Sequence, residues 1–132
     1  VRILALDYGS ARCGCAVSDP TGTIVTPIDP VLRPASKRGF QVLRRLAAER
    51  EAELVLVGLP LGLDGGETDQ TRETREFARR LAAGLGDGIP VEMYDERFTT
   101  KLARRTKAGS RSSEDSRAAA HLLESWLTAR SR

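Results

Sequence analysis

Val1-Arg2-Ile3-Leu4-Ala5-Leu6-Asp7-Tyr8-Gly9-Ser10 opens the chain, and its first six residues are almost continuously apolar. Such a run marks a strand buried on both faces. It stops at an acid followed by turn-forming residues, so Asp7 is expected at a strand end. Reading outward, Cys13 to Ser18 is a returning strand and Asp19-Pro20-Thr21-Gly22 a turn. Thr23 to Ile28 gives a β-branched third strand, with Pro27 and Pro30 expected to break the pattern. Three strands joined by tight turns form an antiparallel meander.

Beyond the meander the pattern alternates. Ser36 caps a predicted helix in which Phe40, Leu43, Leu46 and Ala47 recur at helical spacing, running to Glu51. Leu54 to Val57 reads as a fourth buried strand ending in Gly58-Leu59-Pro60, and Leu61 to Glu67 as a loop. A helix carrying Phe77 and Leu81 spans Thr68 to Ala83, and Ile89 to Asp95 is a fifth strand. A short basic helix is predicted from Thr99 or Thr100 to Lys107, and a closing helix from Ser113 to Ala129. Right-handed crossovers then place strands four and five parallel to strand one. The expectation is an α/β fold with a five-stranded mixed sheet flanked by helices, one domain over residues 1–132. Ligand chemistry in open α/β sheets collects beyond the carboxyl ends of strands near a switch in strand order, where Asp7, Gly58, Asp95 and Glu96 arrive.

A length of 132 residues suits one domain, and 40% hydrophobic with 30% charged residues is ordinary globular composition. No stretch approaches the roughly 18 apolar residues a membrane span needs. The opening run is too short for a signal peptide and lacks a cleavage site, and it starts at Val1. A cytoplasmic chain trimmed of its initiator methionine is the expectation. Cys13 and Cys15 are too close for an ordinary disulfide and too few for structural zinc, so they read as small buried thiols.

Charge is unevenly distributed. Residues 1–96 carry 12 basic and 15 acidic side chains, whereas residues 97–132 carry 9 and 3. Arg97, Lys101, Arg104, Arg105, Lys107 and Arg111 follow one another with no acid among them, a run suited to nucleic-acid phosphates or to a solvated helix face. Gly9, Gly58 and Pro60 mark loops where a phosphate backbone could come close.

Three acids stand apart. Asp7 ends the first strand, and Asp95-Glu96 closes the fifth, where alternation lets only one of the two face a given site. Asp115 aligns with Ala119, Leu122 and Trp126 on the buried stripe of the last helix, although Ser112-x-x-Asp115 also fits a capping box. His121, the sole histidine, falls about 240° around that helix from Asp115 and reads as a packing or surface residue. Carboxylates gathered in this way are hard ligands for magnesium or manganese, and two such ions serve in-line phosphodiester hydrolysis. Asp7, Glu96 and Asp115, with Asp95 beside them, are the candidate metal ligands and catalytic acids.

Leu4-Ala5-Leu6-Asp7-Tyr8-Gly9, Val57-Gly58-Leu59-Pro60-Leu61 with Asp64-Gly65, Asp95-Glu96-Arg97-Phe98-Thr99-Thr100 and Asp115-Ser116-x-Ala118-Ala119 together resemble the YqgF family, also called RuvX. The resemblance runs through nearly the whole chain. It implies an RNase H-like fold similar to that of the resolvase RuvC, with Mg2+ or Mn2+ as cofactor and an acidic triad at Asp7, Glu96 and Asp115. Family members are described as Holliday junction resolvases or as nucleases maturing the 5′ end of pre-16S rRNA. The chain departs from the pattern after Ala108-Gly109, where only Ser110 to Glu114 precede Asp115 and relatives usually carry a longer basic stretch. Either the loop is shortened or residues of it are left out of the sequence. Cys13 and Cys15 stand where relatives are usually aliphatic.

The expected function is a metal-dependent endonuclease acting on structured nucleic acid, branched DNA or precursor rRNA, with no membrane partner. Junction resolution would call for a homodimer. The alternative is a non-catalytic nucleic-acid-binding module of the same fold. A nucleotide-binding kinase fold, which also begins with Asp-x-Gly, needs two such domains and does not fit 132 residues.

Overall fold

The computed structural model describes residues 1–98 and 116–131. Strands β1 (Ile3–Asp7), β2 (Arg12–Ser18) and β3 (Val25–Leu32) form the meander, followed by α1 (Lys37–Glu49), β4 (Leu54–Leu59), α2 (Asp69–Leu85) and β5 (Val91–Asp95). A short 3-10 turn (Glu96–Phe98) follows β5, and α3 (Arg117–Arg130) closes the described chain. The sheet order is β3-β2-β1-β4-β5, with β1 antiparallel to β2 and parallel to β4, and β4 parallel to β5. This is the predicted mixed sheet. The predicted basic helix at 99–107 and the start of the last helix at 113–115 lie outside the described residues.

Strand β1 is apolar throughout because both of its faces are covered. Leu4, Leu6 and Tyr8 join Leu43 and Ala47 of α1 and Phe77 and Leu81 of α2 in the larger core. Ile3 and Ala5 pack on the other face with Leu122, Leu123 and Trp126 of α3. Asp7 continues the Ile3 and Ala5 side, so its carboxylate falls on the α3 layer where that core reaches the sheet edge.

Strand β3 runs through both prolines expected to end it. It is an edge strand, so the N–H that proline lacks is not missed by an outer partner. Pro27 sits opposite Ala16, while Cys13 and Cys15 face Val31 and Ile28, which leaves one extra residue on β3 around Asp29-Pro30. Pro30 therefore lies at a bulge, where a ladder bond is already interrupted.

Each helix start is secured by a side chain. Ser36 Oγ accepts the Gly39 N–H at 3.0 Å. Thr68 and Thr71 cap α2 reciprocally, and the Thr71 hydroxyl also bonds the Pro60 carbonyl, which ties the loop after β4 to the helix. Ser116, just before α3, is fully buried; its Oγ accepts from the Cys15 N–H at 3.0 Å and donates to the Ile28 carbonyl. At the far end of α3, Trp126 Nε1–H donates to Glu92 Oε2 of β5 at 2.6 Å, with Arg130 over the indole ring. The helix is thus pinned to both halves of the sheet. Cys13 and Cys15 are buried free thiols. No helix among the described residues is long and apolar enough to cross a membrane.

Candidate active site

The carboxyl ends of β1, β4 and β5 lie side by side, and sheet register decides what meets there. Leu6 pairs with Val57, and Gly58 pairs with Tyr94. Continuing both ladders sets Asp7, Gly58 and the residues after Tyr94 in one row on the α3 face. Adjacent strands are about 4.8 Å apart, so groups on β1 and β5 are separated by nearly twice that and meet only if the strand between them leaves room. Gly58 leaves it. A Cβ there would lie 2.5 Å from Glu96 Oε1 and 3.0 Å from Glu96 Cγ. With that space open, the Glu96 carboxyl lies over Gly58 beside Asp7, and the two line one cavity.

Alternation along β5 selects Glu96 for this role. Glu92 and Tyr94 point to α3, and Glu96 follows them. Asp95 points elsewhere and engages Arg97, accepting from Arg97 Nη2 at 2.7 Å and from the Arg97 backbone N–H at 2.9 Å. Arg97 holds the Asp95 carboxyl below the usual aspartate range. The Arg97 guanidinium in turn lies against Gly65 in the loop after β4, 3.3 Å from where a Cβ would stand. Asp95 is therefore the anchor of Arg97, and the structure does not bring it to the Asp7–Glu96 pair.

Asp7 and Glu96 line a cavity of about 250 Å³ together with Ala118, His121 and Leu122 of α3. The position of His121 corrects the reading from sequence, which put it on another side of the helix. The cavity-facing side of α3 is set by Ala118 and Leu122, and His121, three residues past Ala118, is only about 60° away. Gly9 and Gly58 also acquire structural reasons. A Cβ on Gly9 would come within 2.8 Å of the Arg12 carbonyl, and buried Gly58 makes room for Glu96. Pro60 is half-buried and its carbonyl is taken by Thr71. Asp115, Lys101, Arg104, Arg105, Lys107 and Arg111 lie outside the described residues.

Burial dominates the electrostatics of the pair. It raises Asp7 above its ordinary value, against the opposing effect of the Glu96 hydrogen bond. Burial, followed by the nearby Asp7 charge, pushes Glu96 from 4.5 up to about 7. Two neighbouring carboxylates cannot both ionise cheaply, so burial and mutual repulsion together disfavour the doubly charged pair. A divalent cation with oxygen preference relieves the same conflict, and the donor chemistry fits magnesium or manganese. Among the described residues no third His, Cys, Asp or Glu joins the pair as a metal-binding cluster.

The raised value has a signed consequence for stability. Between pH 4.5 and about 7 the unfolded chain has released the Glu96 proton while the fold retains it. The contribution of this group is therefore full below pH 4.5 and is lost as pH rises through 7. In EDTA, the melting temperature of the wild type is expected to fall across that window relative to Glu96→Gln, whose difference from wild type should grow in the variant's favour. Parallel melting profiles for the two proteins would refute the pairing.

A model of the RuvX family, described as Holliday junction resolvase, matches residues 1–129. This chain belongs to the RuvX family. Relatives named "Putative pre-16S rRNA nuclease" come from Sulfurihydrogenibium sp. (36% identical over 96% of this chain and 89% of the relative) and Myxococcus xanthus (38%, over 98% and 89%). A Mycobacterium tuberculosis relative of the same name is 40% identical over 98% of this chain and 79% of its own. Among solved structures, the RuvX chain is similar to Thermus thermophilus RuvC in complex with a Holliday junction substrate, with a TM-score of 0.64 and 15% identity over 99% and 96% of the two chains. The fowlpox virus resolvase in complex with Holliday junction DNA gives a TM-score of 0.60 at 12% identity, covering both chains in full. At such identities the likeness is one of fold, and the RuvX fold here is RNase H-like.

The glycine between the carboxylates offers a direct test within this RuvX chain. Gly58→Ala forces the end of the Glu96 side chain aside, which is cheap for stability because that side chain is flexible, and an added methyl in a strand offsets part of the cost. Its melting temperature should stay close to wild type while the rate of nucleic-acid cleavage falls about 10- to 100-fold, the scale for disturbing a group that orients an active-site carboxylate. Wild-type cleavage by Gly58→Ala would show that the placement of Glu96 is not needed.

Proposed function

We propose that this chain is a divalent-metal-dependent endonuclease that hydrolyses phosphodiester bonds in structured nucleic acid, with Asp7, Glu96 and Asp115 as its acidic triad. The observation that carries the reading is the juxtaposition of Asp7 and Glu96 in one cavity at the carboxyl edge of an RNase H-like sheet, with Gly58 leaving the room between them. Asp115 enters from the family resemblance and directly precedes Ser116, the buried anchor of α3. Asp7 and Glu96, with Asp115, would hold magnesium or manganese. When bound there, such a cation would supply the chemistry of activating a water and stabilising the leaving oxygen in an in-line displacement.

The chain's own groups do the rest. Asp7 and Glu96 would act as carboxylates toward the ion, and Glu96, pushed up to about 7 by burial, would release its proton to solvent as the ion binds. Arg97, fixed by Asp95 against the loop at Gly65, presents its guanidinium at the rim, and Lys101, Arg104, Arg105, Lys107 and Arg111 supply further cations for the flanking phosphates. The 5′ end of precursor 16S rRNA is the leading substrate, because relatives 36–40% identical over most of both chains carry that name. A four-way DNA junction, worked on by a homodimer, is the second reading and rests on the family description. Both place the enzyme in the cytoplasm.

The deciding experiment offers the purified protein, with Mn2+ or Mg2+, a labelled four-way junction and a labelled 5′-extended precursor rRNA fragment. Trimming of the RNA alone supports the leading reading. Symmetric nicks in the junction alone support the second and require a dimer. Binding without cleavage of either, at any metal concentration, would leave a non-catalytic binding module.

A further inference from the structure

The face of the sheet opposite the carboxylates carries a second feature. Helices α1 and α2 both return from the carboxyl edge of the sheet and run side by side, and a groove lies between them. It consists of two hollows of about 560 and 380 Å³ that share Gln41, Arg44 and Gly84 and so form one channel. Lys37, Arg44 and Arg45 line it from α1 and Arg80 from α2, all exposed, and no acid contributes to its lining. Gly84 forms part of its floor, where a Cβ would lie in ordinary contact with the Arg44 stem at 3.7 Å.

The pairing pattern around the groove separates it from an ordinary solvated helix face. The acids of α2 and the loop before it are already engaged: Asp69 with Arg72, Glu67 with Arg75, Glu76 with Arg79, and Glu73 with the Tyr8 hydroxyl. Among the described residues none of Lys37, Arg44, Arg45 or Arg80 forms an ion pair with a carboxylate. Arg80 instead stacks on Phe40, 4.5 Å from the ring centroid, which orients its guanidinium in the channel. From Lys37 to Arg45 the α1 cations extend about 12 Å along the helix, a span of three to four phosphates of one duplex strand at roughly 3.4 Å each.

We propose that this groove is a second phosphate-backbone site, which seats a double-stranded segment of the nucleic-acid substrate on the face of the sheet remote from the carboxylates. It rests on the nucleic-acid reading above but not on cleavage. Its use is to position: a duplex held along α1 and α2 enters from the carboxyl edge, where Lys37 lies at the start of α1, the edge at which Asp7 ends β1. Recognition by the groove is of backbone shape and charge, because exposed cationic side chains dominate its walls and no acid lines it.

The test measures equilibrium binding of a labelled RNA duplex in EDTA over about 50 to 300 mM KCl. The variant Lys37→Gln/Arg44→Gln/Arg45→Gln is compared with Arg72→Gln/Arg75→Gln/Arg79→Gln, which removes three cations that are already paired and so changes net charge equally. Loss of the groove cations is expected to weaken binding and make the slope of log affinity against log salt shallower by about 2 to 3, against less than 1 for the paired set. Equal effects of the two variants would reduce the groove to bulk charge and overturn the proposal, as would an unchanged slope in the groove variant. Wild-type protein that binds no duplex at all would overturn the nucleic-acid reading with it. Wild-type protein that binds but does not cleave leaves this test intact and counts against the nuclease reading alone.

Discussion

Asp7→Asn is expected to lower single-turnover cleavage by at least about 10²–10³-fold, the cost of removing one group that stabilises charge in a transition state, while making the metal-free protein more stable above pH 7. The two effects have one cause. Asp7 is held where burial raises its pKa and where it meets Glu96, whose own carboxyl is pushed up to about 7. Above that pH the fold confines two like charges, and asparagine keeps the shape while removing one of them. A loss of activity accompanied by a higher melting temperature in EDTA cannot come from unfolding, which separates a catalytic role from a packing one. Manganese should raise the melting temperature of the wild type and have much less effect on the variant, because binding to the folded state alone stabilises it. Cleavage near the wild-type rate in Asp7→Asn would sink the assignment of the site.

Much of this arrangement is legible in one dimension, and the parts that are not depend on contacts across strands. The continuous apolar run before Asp7 discloses a strand covered on both faces, and two-residue alternation after Val91 puts Asp95 and Glu96 on opposite faces without choosing between them. The course of β3 through Pro27 and Pro30 is illegible, because proline breaks a central strand but not an edge strand with a bulge, and edge position follows from topology. The role of Gly58 requires the register of β4 with β1 and β5, since the clash it avoids is with a side chain 38 positions away in sequence. The angle from Asp115 alone does not disclose that His121 lines the cavity, because Ala118 and Leu122 define that side of α3. Nor does the basic run disclose that Asp95, two residues earlier, anchors Arg97. The groove cations are visible in sequence as part of α1, yet which arginines lack acidic partners depends on how the two helices pack.

The largest effect on stability is expected from Phe77→Ala. Phe77 is 2% exposed and forms the centre of the core between the sheet, α1 and α2. Its ring stacks on Tyr8 with centroids 4.4 Å apart and meets Phe40 at 5.7 Å, so truncation removes both aromatic contacts along with the buried surface. The cost should be about 3–5 kcal/mol, from lost transfer free energy and from a cavity that the rigid strand β1 cannot close. Domains of this size have about 5–15 kcal/mol in all, so urea unfolding should show a midpoint shifted far toward zero denaturant. Phe77→Leu keeps most of the volume and should cost under about 1.5 kcal/mol if neighbours repack, whereas Val42→Ala on the exposed side of α1 should stay within about 0.5. Tyr8 connects this core to the site: it follows Asp7 directly, stacks on Phe77, and donates its hydroxyl to Glu73 at 2.8 Å, with its own pKa pushed up to about 12 chiefly by burial. Phe77→Leu should therefore cut as fast as wild type only if Tyr8 remains held by Glu73; a cleavage defect in that variant without a matching loss of stability would show that the ring stack itself keeps the end of β1 in place.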